Sequence, residues 1–361
     1  MKLTKSIVTI VGARPQFIKA AVVSRVLRES DDIHEIIVHT GQHYDENMSS
    51  IFFDELDIPK PDFNLAIGSG SHGQNTGRMI EAIETVLQEI KPSLVMVYGD
   101  TNTTLAAAIA ASKLHVPIAH VEAGLRSFNR QMPEEINRVL TDHVSSLLFT
   151  PSDVAVQNLV KEGIAGNQVM NVGDVMFDAA KYYMILAEKR GNILESKGLI
   201  KGGYILLTMH RQENTDIPER LKGIFDGLKD STLPIIWPVH PRTAKMMKSF
   251  GIQHPASIRL IDPVGYLDMV KLEKNAKLIV TDSGGVQKEA YYHSIPSLTL
   301  RDETEWLELV TLGVTQIVGA NPDLIRKGLH KEDISVDPTN SVYGAGDAGN
   351  KIVAALTNFL K

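Results

Sequence analysis

The sequence predicts an α/β protein made of two domains, each with a parallel sheet covered by helices. Short apolar runs rich in β-branched residues alternate with stretches of helical periodicity along the 361-residue chain. The apolar runs are nearly continuous, as expected for strands that are buried on both faces. The same alternation restarts in the second half, and this places a domain boundary near residue 174. We therefore expect two Rossmann-like domains.

The apolar runs define the predicted strands. In the first half they are Ile7–Val11, Glu35–Thr40, Leu94–Tyr98, Pro117–Val121, Leu147–Thr150 and Val169–Val172. In the second half they are Tyr204–Thr208, Pro234–Val239, Ile258–Ile261, Lys277–Thr281, Ser297–Arg301 and Thr315–Val318. Helices are expected at Phe17–Leu27, Gly77–Ile90, Thr103–Lys113 and, as an amphipathic helix, within Asp347–Lys361. Residues 72–74 are expected to be a loop before the helix from Gly77.

Composition excludes several classes of protein. A formal net charge of −6 argues against nucleic acid or an anionic membrane as the main partner. The chain has no cysteine, which excludes disulfides, cysteine-ligated zinc and thiol nucleophiles. No apolar run approaches the roughly 18 residues of a membrane span, so we expect a cytoplasmic protein. His39 and His43 span a strand end and a turn instead of one helix face, so no metal site is predicted.

Charged residues recur directly after the predicted strands. They are Arg14, Asp100 and Glu122 in the first half, and His210, Arg211, His240 and Asp282 in the second. Ligands of open parallel sheets bind beyond the carboxyl ends of the strands, and a structural scaffold would usually have neutral turn residues there. The recurrence therefore predicts a ligand site at this edge in both halves.

The turn Asp282-Ser283-Gly284-Gly285 opens a predicted helix and suits a phosphate. Glycines allow close approach of the backbone, and the helix N-terminus offers free N–H groups with a partial positive charge. An ordinary helix cap by Ser or Asp explains the same four residues. The chain has neither a Gly-x-x-x-x-Gly-Lys-Ser/Thr loop nor a Gly-x-Gly-x-x-Gly after the first strand.

Asp100, Glu122, Glu134 and Glu135 are the candidates for acid–base chemistry. Clustered carboxylates near cations can act as base and acid when their surroundings separate their pKa values. The position after a strand favours function for Asp100 and Glu122. Glu134 and Glu135 follow Pro133, and proline followed by acids is also ordinary for a helix start, so both interpretations stay open for Glu135.

The chain resembles the non-hydrolysing UDP-N-acetylglucosamine 2-epimerase family over nearly its whole length. The matching blocks are Gly12-Ala13-Arg14-Pro15 to Lys19, Gly41-Gln42-His43, Gly99-Asp100-Thr101, His120 to Arg126, Pro133-Glu134-Glu135 with Asn137-Arg138, His210-Arg211, Pro238 to Pro241 and Thr281 to Glu289. The resemblance implies a glycosyltransferase-B arrangement without a cofactor, in a homodimer. It also implies that residues 345–361 return to the first domain (1–173), so that residues 174–344 form the second, UDP-binding domain.

The resemblance further implies that the enzyme inverts C2 of a UDP-linked N-acetylhexosamine by eliminating UDP and adding it back. Asp100, Glu122 and Glu134 match the acid–base carboxylates of the family, and His210 is the fourth expected catalytic residue. The residues that match substrate contacts are Arg14, Ser283, Gly284 and Gly285 with His210 for the pyrophosphate, Lys19, Arg138 and His240 lining the site, and Glu289 for the ribose hydroxyls. The C2 hydrogen is poorly acidic, so charge on the departing diphosphate must be stabilised.

Departures from the common family pattern resemble the branch that acts on UDP-2,3-diacetamido-2,3-dideoxyglucuronate. Gln16 replaces an acid, Arg130 lies in a shortened loop, and Arg301 leads a stretch that continues into Trp306. A site that loses a negative charge and gains an arginine suits a substrate with a carboxylate at C6, although sequence drift in a loop gives the same pattern. The expected product is the manno epimer for surface polysaccharide synthesis.

Several alternatives to this function stay open. UDP-N-acetylglucosamine is the second candidate substrate, and the rival activities are a glycosyltransferase of the same architecture, a hydrolysing epimerase and a nucleotide-sugar sensor. Some family members bind an activating second substrate around the Gln-His motif. The motif here runs Gln42-His43-Tyr44-Asp45-Glu46 and differs from the family after the histidine, so it matches that activating site only as far as His43.

Overall fold

The computed structural model describes residues 5–30, 32–42, 53, 56–68, 70–190, 192–330, 336 and 342–361. The chain forms two compact units, one of Met1–Ala179 with Ser341–Lys361 and one of Ala180–Asn340. Within the described residues, no helix combines the length and the apolar character that crossing a membrane would require.

The first unit contains a seven-stranded parallel sheet. Its strands are β1 (Lys5–Val11), β2 (Ile33–His39), β3 (Phe63–Asn64), β4 (Leu94–Tyr98), β5 (Ile118–Val121), β6 (Leu147–Thr150) and β7 (Val169–Asn171), in the order β3-β2-β1-β4-β5-β6-β7. The helices of this unit are α1 (Arg14–Leu27), α2 (His72–Ile90), α3 (Asn102–Lys113), α4 (Pro133–Val144) and α5 (Asp153–Lys161), and α6 (Val175–Arg190) begins in this unit and ends beyond Ala179. All five side chains of β4 are buried, as the continuous apolar run predicts.

The second unit contains a six-stranded parallel sheet. Its strands are β8 (Ile205–Thr208), β9 (Ile235–Pro238), β10 (Ile258–Ile261), β11 (Leu278–Thr281), β12 (Ser297–Thr299) and β13 (Thr315–Ile317), in the order β10-β9-β8-β11-β12-β13. Its helices are α7 (Ile193–Ser196), α8 (Gln212–Thr215), α9 (Pro218–Leu228), α10 (Pro241–Phe250), α11 (Tyr266–Asn275), α12 (Gly284–Tyr292), α13 (Leu307–Thr311) and α14 (Pro322–Leu329). Trp237 is fully buried in the core of this unit.

The last helix, α15 (Ala348–Phe359), packs on α1 in the first unit. The two helices approach closely at Gly349, where an added Cβ would lie only 2.9 Å from Val22 Cγ1. The backbone N–H groups of Ala348 and Gly349 donate to the Asp178 carboxylate at 3.2 and 3.0 Å, which satisfies the first turn of the helix.

Every predicted strand is present, with ends within two residues of the prediction, and β3 is an additional strand. The prediction of a loop at 72–74 is wrong, because α2 begins at His72. Ser71 and Gln74 form a capping box there: Ser71 Oγ accepts from Gln74 N, and Gln74 Oε1 accepts from Ser71 N at 3.2 Å. The cap offsets the low helix propensity of the glycines at positions 73 and 77.

In both sheets the order in which successive strands are added reverses at a central strand. In the first unit β1 lies between β2 and β4, and in the second β8 lies between β9 and β11. The strands are parallel, so their carboxyl ends share one edge in each sheet, and the crevice at such a switch point is where ligands of open α/β sheets bind.

Candidate functional site

Two ion pairs lie at the strand-end edge of the first unit. Lys19 on α1 pairs through Nζ with Glu122 Oε2, and Arg138 on α4 pairs with Asp100 through Nη2 and Oδ2 at 2.5 Å. A Cβ at Gly99 would lie 3.3 Å from Lys19 Nζ and 3.4 Å from Glu122 Oε2, so the turn after β4 borders the first pair directly. The structure therefore brings four of the predicted site residues into one cluster.

Glu122 occupies an unusual backbone conformation. Its φ is +72°, in the left-handed region that residues other than glycine rarely adopt, and its side chain is only 8% exposed. Such strain persists only where the surroundings hold it, and it occurs preferentially at functional sites. The conformation supports a specific role for the Glu122 carboxylate.

Glu135 has a structural role. Its buried carboxylate accepts from Ser127 N at 2.9 Å, Ser127 Oγ at 3.0 Å, Phe128 N at 2.9 Å and Arg138 Nη1 at 2.7 Å. Burial alone would raise the pKa of Glu135, but these hydrogen bonds and the Arg138 charge lower it. Glu135 thus anchors the loop before α4. Glu134, by contrast, is exposed in the first turn of α4, and its carboxylate has no hydrogen bond among the residues that the structure describes.

Gln16 holds the turn that presents Arg14. Its Oε1 accepts from the backbone N–H groups of Gly12 and Ala13 at 2.9 and 3.0 Å, and its Nε2 donates to the Tyr98 carbonyl at 2.8 Å. The side chain is buried, so Gln16 ties the carboxyl ends of β1 and β4 together. Arg14 itself is half-buried as the first residue of α1.

Asn137 belongs to the site although the predictions assigned it no role. Its Nδ2 donates to the Asp100 carbonyl at 2.8 Å, and the next residue, Arg138, bonds the Asp100 carboxylate. The adjacent pair Asn137-Arg138 at a helix start was a usable signal in the sequence. Gln42 also lies near this edge and accepts from Thr103 N at 3.0 Å, whereas residues 43–46 of its motif lie outside the described residues.

Asp282 organises the strand-end edge of the second unit. Its fully buried carboxylate accepts from His210 N at 3.1 Å, Arg211 N at 2.9 Å and Asn214 Nδ2 at 3.2 Å, and it lies 3.5 Å from His210 Nδ1. Asp282 therefore points inward and holds the turn after β8. The His210 side chain is 56% exposed, which leaves its ring open to a ligand.

The turn after Asp282 forms the N-terminus of α12. Ser283 is the N-cap, with its Oγ accepting from Val286 N at 3.5 Å, and Gly284 and Gly285 begin the helix with partly exposed backbone. The N–H groups of this first turn can bind an anion. The Asp282 bonds fix the His210 turn directly beside this helix N-terminus.

Glu289 lies two turns further along α12. Its side chain is largely buried, and its Oε1 accepts from Tyr266 Oη on α11 at 3.1 Å. Burial, followed by the charge of Glu289, raises the pKa of Tyr266 well above its ordinary value, so the phenol remains a donor to the carboxylate. Glu289 is thus held in place from one side.

The remaining predicted residues differ in environment. His240 is exposed and is the N-cap of α10, with Nδ1 accepting from Arg242 N at 3.2 Å. Arg301 is buried and bonds Glu305 through both terminal nitrogens, at 2.7 and 3.2 Å. Burial alone would raise the pKa of Glu305, but Arg301 lowers it. Arg130 is exposed, and its guanidinium has no partner within the described ranges.

Comparison with known proteins adds independent findings. Residues 25–357 match the family model described as UDP-N-acetylglucosamine 2-epimerase. A UDP-N-acetylglucosamine 2-epimerase homolog from Methanococcus maripaludis is 53% identical over 98% of this chain and 99% of its own. The UDP-2,3-diacetamido-2,3-dideoxy-D-glucuronate 2-epimerase of Pseudomonas aeruginosa is 50% identical over 97% of this chain and 99% of its own.

A solved structure agrees with these sequence relatives. The Methanocaldococcus jannaschii UDP-GlcNAc 2-epimerase in complex with UDP-GlcNAc and UDP matches with a TM-score of 0.87 at 47% identity, covering 98% of this chain and 99% of that one. With the two parallel sheets described above, this match confirms the predicted α/β fold class.

Proposed function

The chain belongs to the UDP-N-acetylglucosamine 2-epimerase family, and from this premise we propose that it inverts C2 of a UDP-linked N-acetylated hexosamine. Membership of this family makes the protein an isomerase-type enzyme. The observation that carries the proposal is the pairing of Glu122 with Lys19 and of Asp100 with Arg138 at one strand-end edge. Two positioned carboxylates are what removing and replacing one carbon-bound hydrogen requires.

The reaction proceeds by elimination and re-addition. One carboxylate takes the proton from C2 while the C1–O bond breaks, so that the electron pair of the C–H bond forms the C1–C2 double bond and UDP leaves with the C1–O electrons. The products of this step are a 2-acetamido glycal and UDP. UDP then adds back to C1 as an acid delivers a proton to the opposite face of C2. Lys19 and Arg138 hold the carboxylates in position for both proton transfers.

The second unit stabilises the charge that develops on the departing diphosphate. The α12 N-terminus at Ser283, Gly284 and Gly285 offers N–H groups to phosphate oxygens. His210 has Nδ1 beside Asp282, which leaves Nε2 as the ring nitrogen for a phosphate oxygen. Glu289, fixed by Tyr266, accepts hydrogen bonds from the ribose hydroxyls.

Turnover in deuterated water tests the reaction directly. We expect deuterium at C2 of both epimers, because the proton removed exchanges with solvent before the other face is protonated. Epimerisation without label at C2 would contradict the proposal. A glycosyltransferase would require an acceptor, a hydrolysing epimerase would release free sugar, and a sensor would bind without exchange, so chromatography of the same samples distinguishes the rivals.

For the substrate we propose UDP-2,3-diacetamido-2,3-dideoxy-D-glucuronate. The supports are 50% identity to an enzyme named for this sugar and the exposed Arg130, which suits a carboxylate at C6. A panel should show a higher kcat/KM for this sugar than for UDP-N-acetylglucosamine. Arg130→Met should lower kcat/KM about 10- to 100-fold on the glucuronate alone, as expected for one charge-assisted hydrogen bond. An equal loss on both substrates would exclude Arg130 as the specificity residue.

We also propose that the enzyme acts as a homodimer, as the family resemblance implies. Sedimentation velocity should then give a mass of about twice the 39.7 kDa chain. A single species of 39.7 kDa at working concentrations would contradict this.

A further inference from the structure

His120, the residue two positions before Glu122, is fully buried with both ring nitrogens facing acceptors. Nδ1 lies 2.7 Å from Asp142 Oδ1, and Nε2 lies 2.8 Å from the Gly99 carbonyl oxygen. Burial alone would raise the pKa of Asp142, but His120 and Arg126 lower it, so this carboxylate is ionised and cannot donate. A ring between two acceptors donates to both only when each nitrogen carries a proton.

A proton on each ring nitrogen also balances the charges bonded around His120. Arg126 Nη1 lies 2.7 Å from Asp142 Oδ2, and Arg126 bonds Glu162 through Nε and Nη2, each at 2.7 Å. His143 Nδ1 also approaches Glu162 Oε2, at 4.0 Å, but its side chain is 46% exposed. Two cations and two carboxylates give a neutral network, which is buried at His120, Asp142 and Arg126 and partly exposed at Glu162. A neutral His120 would direct a ring lone pair at an acceptor, which is costly for a fully buried side chain.

The same network holds the backbone on both sides of Glu122. Asp142 Oδ2 accepts from Gly124 N at 3.1 Å, so one carboxylate binds both ends of the turn 120–124, with Glu122 in its left-handed conformation between them. His120 Nε2 reaches the carbonyl of Gly99, the residue directly before Asp100. One buried group therefore connects the turns that carry the two carboxylates.

We propose that His120, Asp142 and Arg126 form a positioning clamp that holds Glu122 and Asp100 for proton transfer at C2, with His120 as an imidazolium. The clamp residues are buried and contact the turns, so they act through the two carboxylates without touching the substrate. This inference rests on the proposed function, since it assigns these residues to that reaction.

Two substitutions each keep one of the two hydrogen bonds of His120 and remove the other. Asparagine places its amide near Nδ1 and keeps the donor to Asp142, whereas glutamine reaches the position of Nε2 and keeps the donor to Gly99. Both remove the charge. We expect His120→Asn and His120→Gln each to lower kcat at least about 100-fold, because small misplacements of reacting groups cost that much. KM and the Kd for UDP should stay within about twofold, because His120 bonds Asp142 and the Gly99 carbonyl and none of the residues assigned to the nucleotide.

Thr141→Val is the matched control. Thr141 is fully buried on α4 next to Asp142 but is not part of the clamp, so this nearly isosteric change should leave kcat unaltered. A purely structural role for His120 would lower the melting temperature without lowering kcat per folded molecule, and that result would overturn the clamp.

Nitrogen-15 NMR of histidine-labelled wild-type protein tests the imidazolium even if the variants fold poorly. We expect one histidine with two protonated, slowly exchanging ring nitrogens, and this signal should be missing in His120→Gln. A His120 ring with one unprotonated nitrogen would refute the clamp as proposed. Wild-type epimerisation without deuterium at C2 would refute the proposed function instead, whereas normal exchange in both His120 variants would refute only the clamp.

Discussion

Arg138→Met removes the group that joins the reacting edge to the loop before α4. The guanidinium contacts Asp100 at 2.5 Å and Glu135 at 2.7 Å, with side chains 33% and 3% exposed. Methionine keeps the aliphatic stem, so the change isolates the charge. Breaking a buried ion pair from one side costs about 3–5 kcal/mol. Glu135 keeps three of its four hydrogen bonds, so we expect the lower end, about 3 kcal/mol.

This free energy sets the expected shift in melting temperature. In a unit of roughly 200 residues, 1 kcal/mol shifts the transition by about 2–4 °C, so the first unit should melt about 6–12 °C lower by differential scanning calorimetry at pH 7. Deuterium incorporation at C2 should also fall, because Asp100 loses its positioning cation. Arg78→Met is the control: Arg78 lies exposed on α2, bonded to Asn75, and should cost less than about 0.5 kcal/mol.

The pH dependence of the Arg138→Met effect has a definite sign. The pKa of Glu135 is lowered in the folded state, so its stabilisation is present above its ordinary value of 4.5 and is lost as the pH falls further. The difference between Arg138→Met and wild type should therefore narrow below about pH 4.5. Melting of the variant within 2 °C of wild type at pH 7, less than about 1 kcal/mol, would refute the buried-pair argument. Normal deuterium exchange in a destabilised variant would refute its role at the site.

Further predictions concern single carboxyl groups. Glu122→Gln and Asp100→Asn should each slow deuterium incorporation at C2 about 10²- to 10⁴-fold. Isothermal titration calorimetry should show a Kd for UDP within about twofold of wild type, and near-normal rates of incorporation would make the acid–base assignment wrong. Glu289→Ala should weaken UDP binding about 10- to 100-fold but weaken 2′-deoxy-UDP binding less, and equal losses would argue against a ribose contact. Burial, and then the charge of Glu289, raises the pKa of Glu273 well above 4.5, so its stabilisation is complete below that pH and is lost as the pH rises. Glu273→Gln should therefore raise the melting temperature of the second unit more at pH 8 than at pH 5; a pH-independent effect would contradict this.

The fold was predictable because its signals are local. Continuous apolar runs between turn residues place each strand, and the resulting parallel sheets fix which edge carries the strand-end residues. β3 escaped prediction because Phe63–Asn64 is too short to form a periodic pattern. The start of α2 was missed because the prediction did not consider the capping box of Ser71 and Gln74, which favours a helix start at His72 despite the glycine at position 73.

The site was predictable in its members but not in its connections. The position after a strand identified Asp100 and Glu122, yet their partners Arg138 and Lys19 lie 38 and 103 residues away in the chain, a pairing that only the fold determines. The sequence also does not determine which way a side chain points. Asp282 follows a strand like Asp100, but it turns inward to hold the His210 turn.

In the proposed reaction, the C1–O bond breaks while carboxylates of the first unit exchange the hydrogen at C2. A substrate labelled with oxygen-18 in the bridge between C1 and the β-phosphorus, incubated with enzyme in deuterated water, reports both events in one sample. We expect deuterium at C2, and we expect phosphorus-31 NMR to show the label moving from the bridge to the non-bridging positions, because the freed β-phosphate can rotate before it adds back. Inversion at C2 with the oxygen-18 retained in the bridge would contradict cleavage of the C1–O bond.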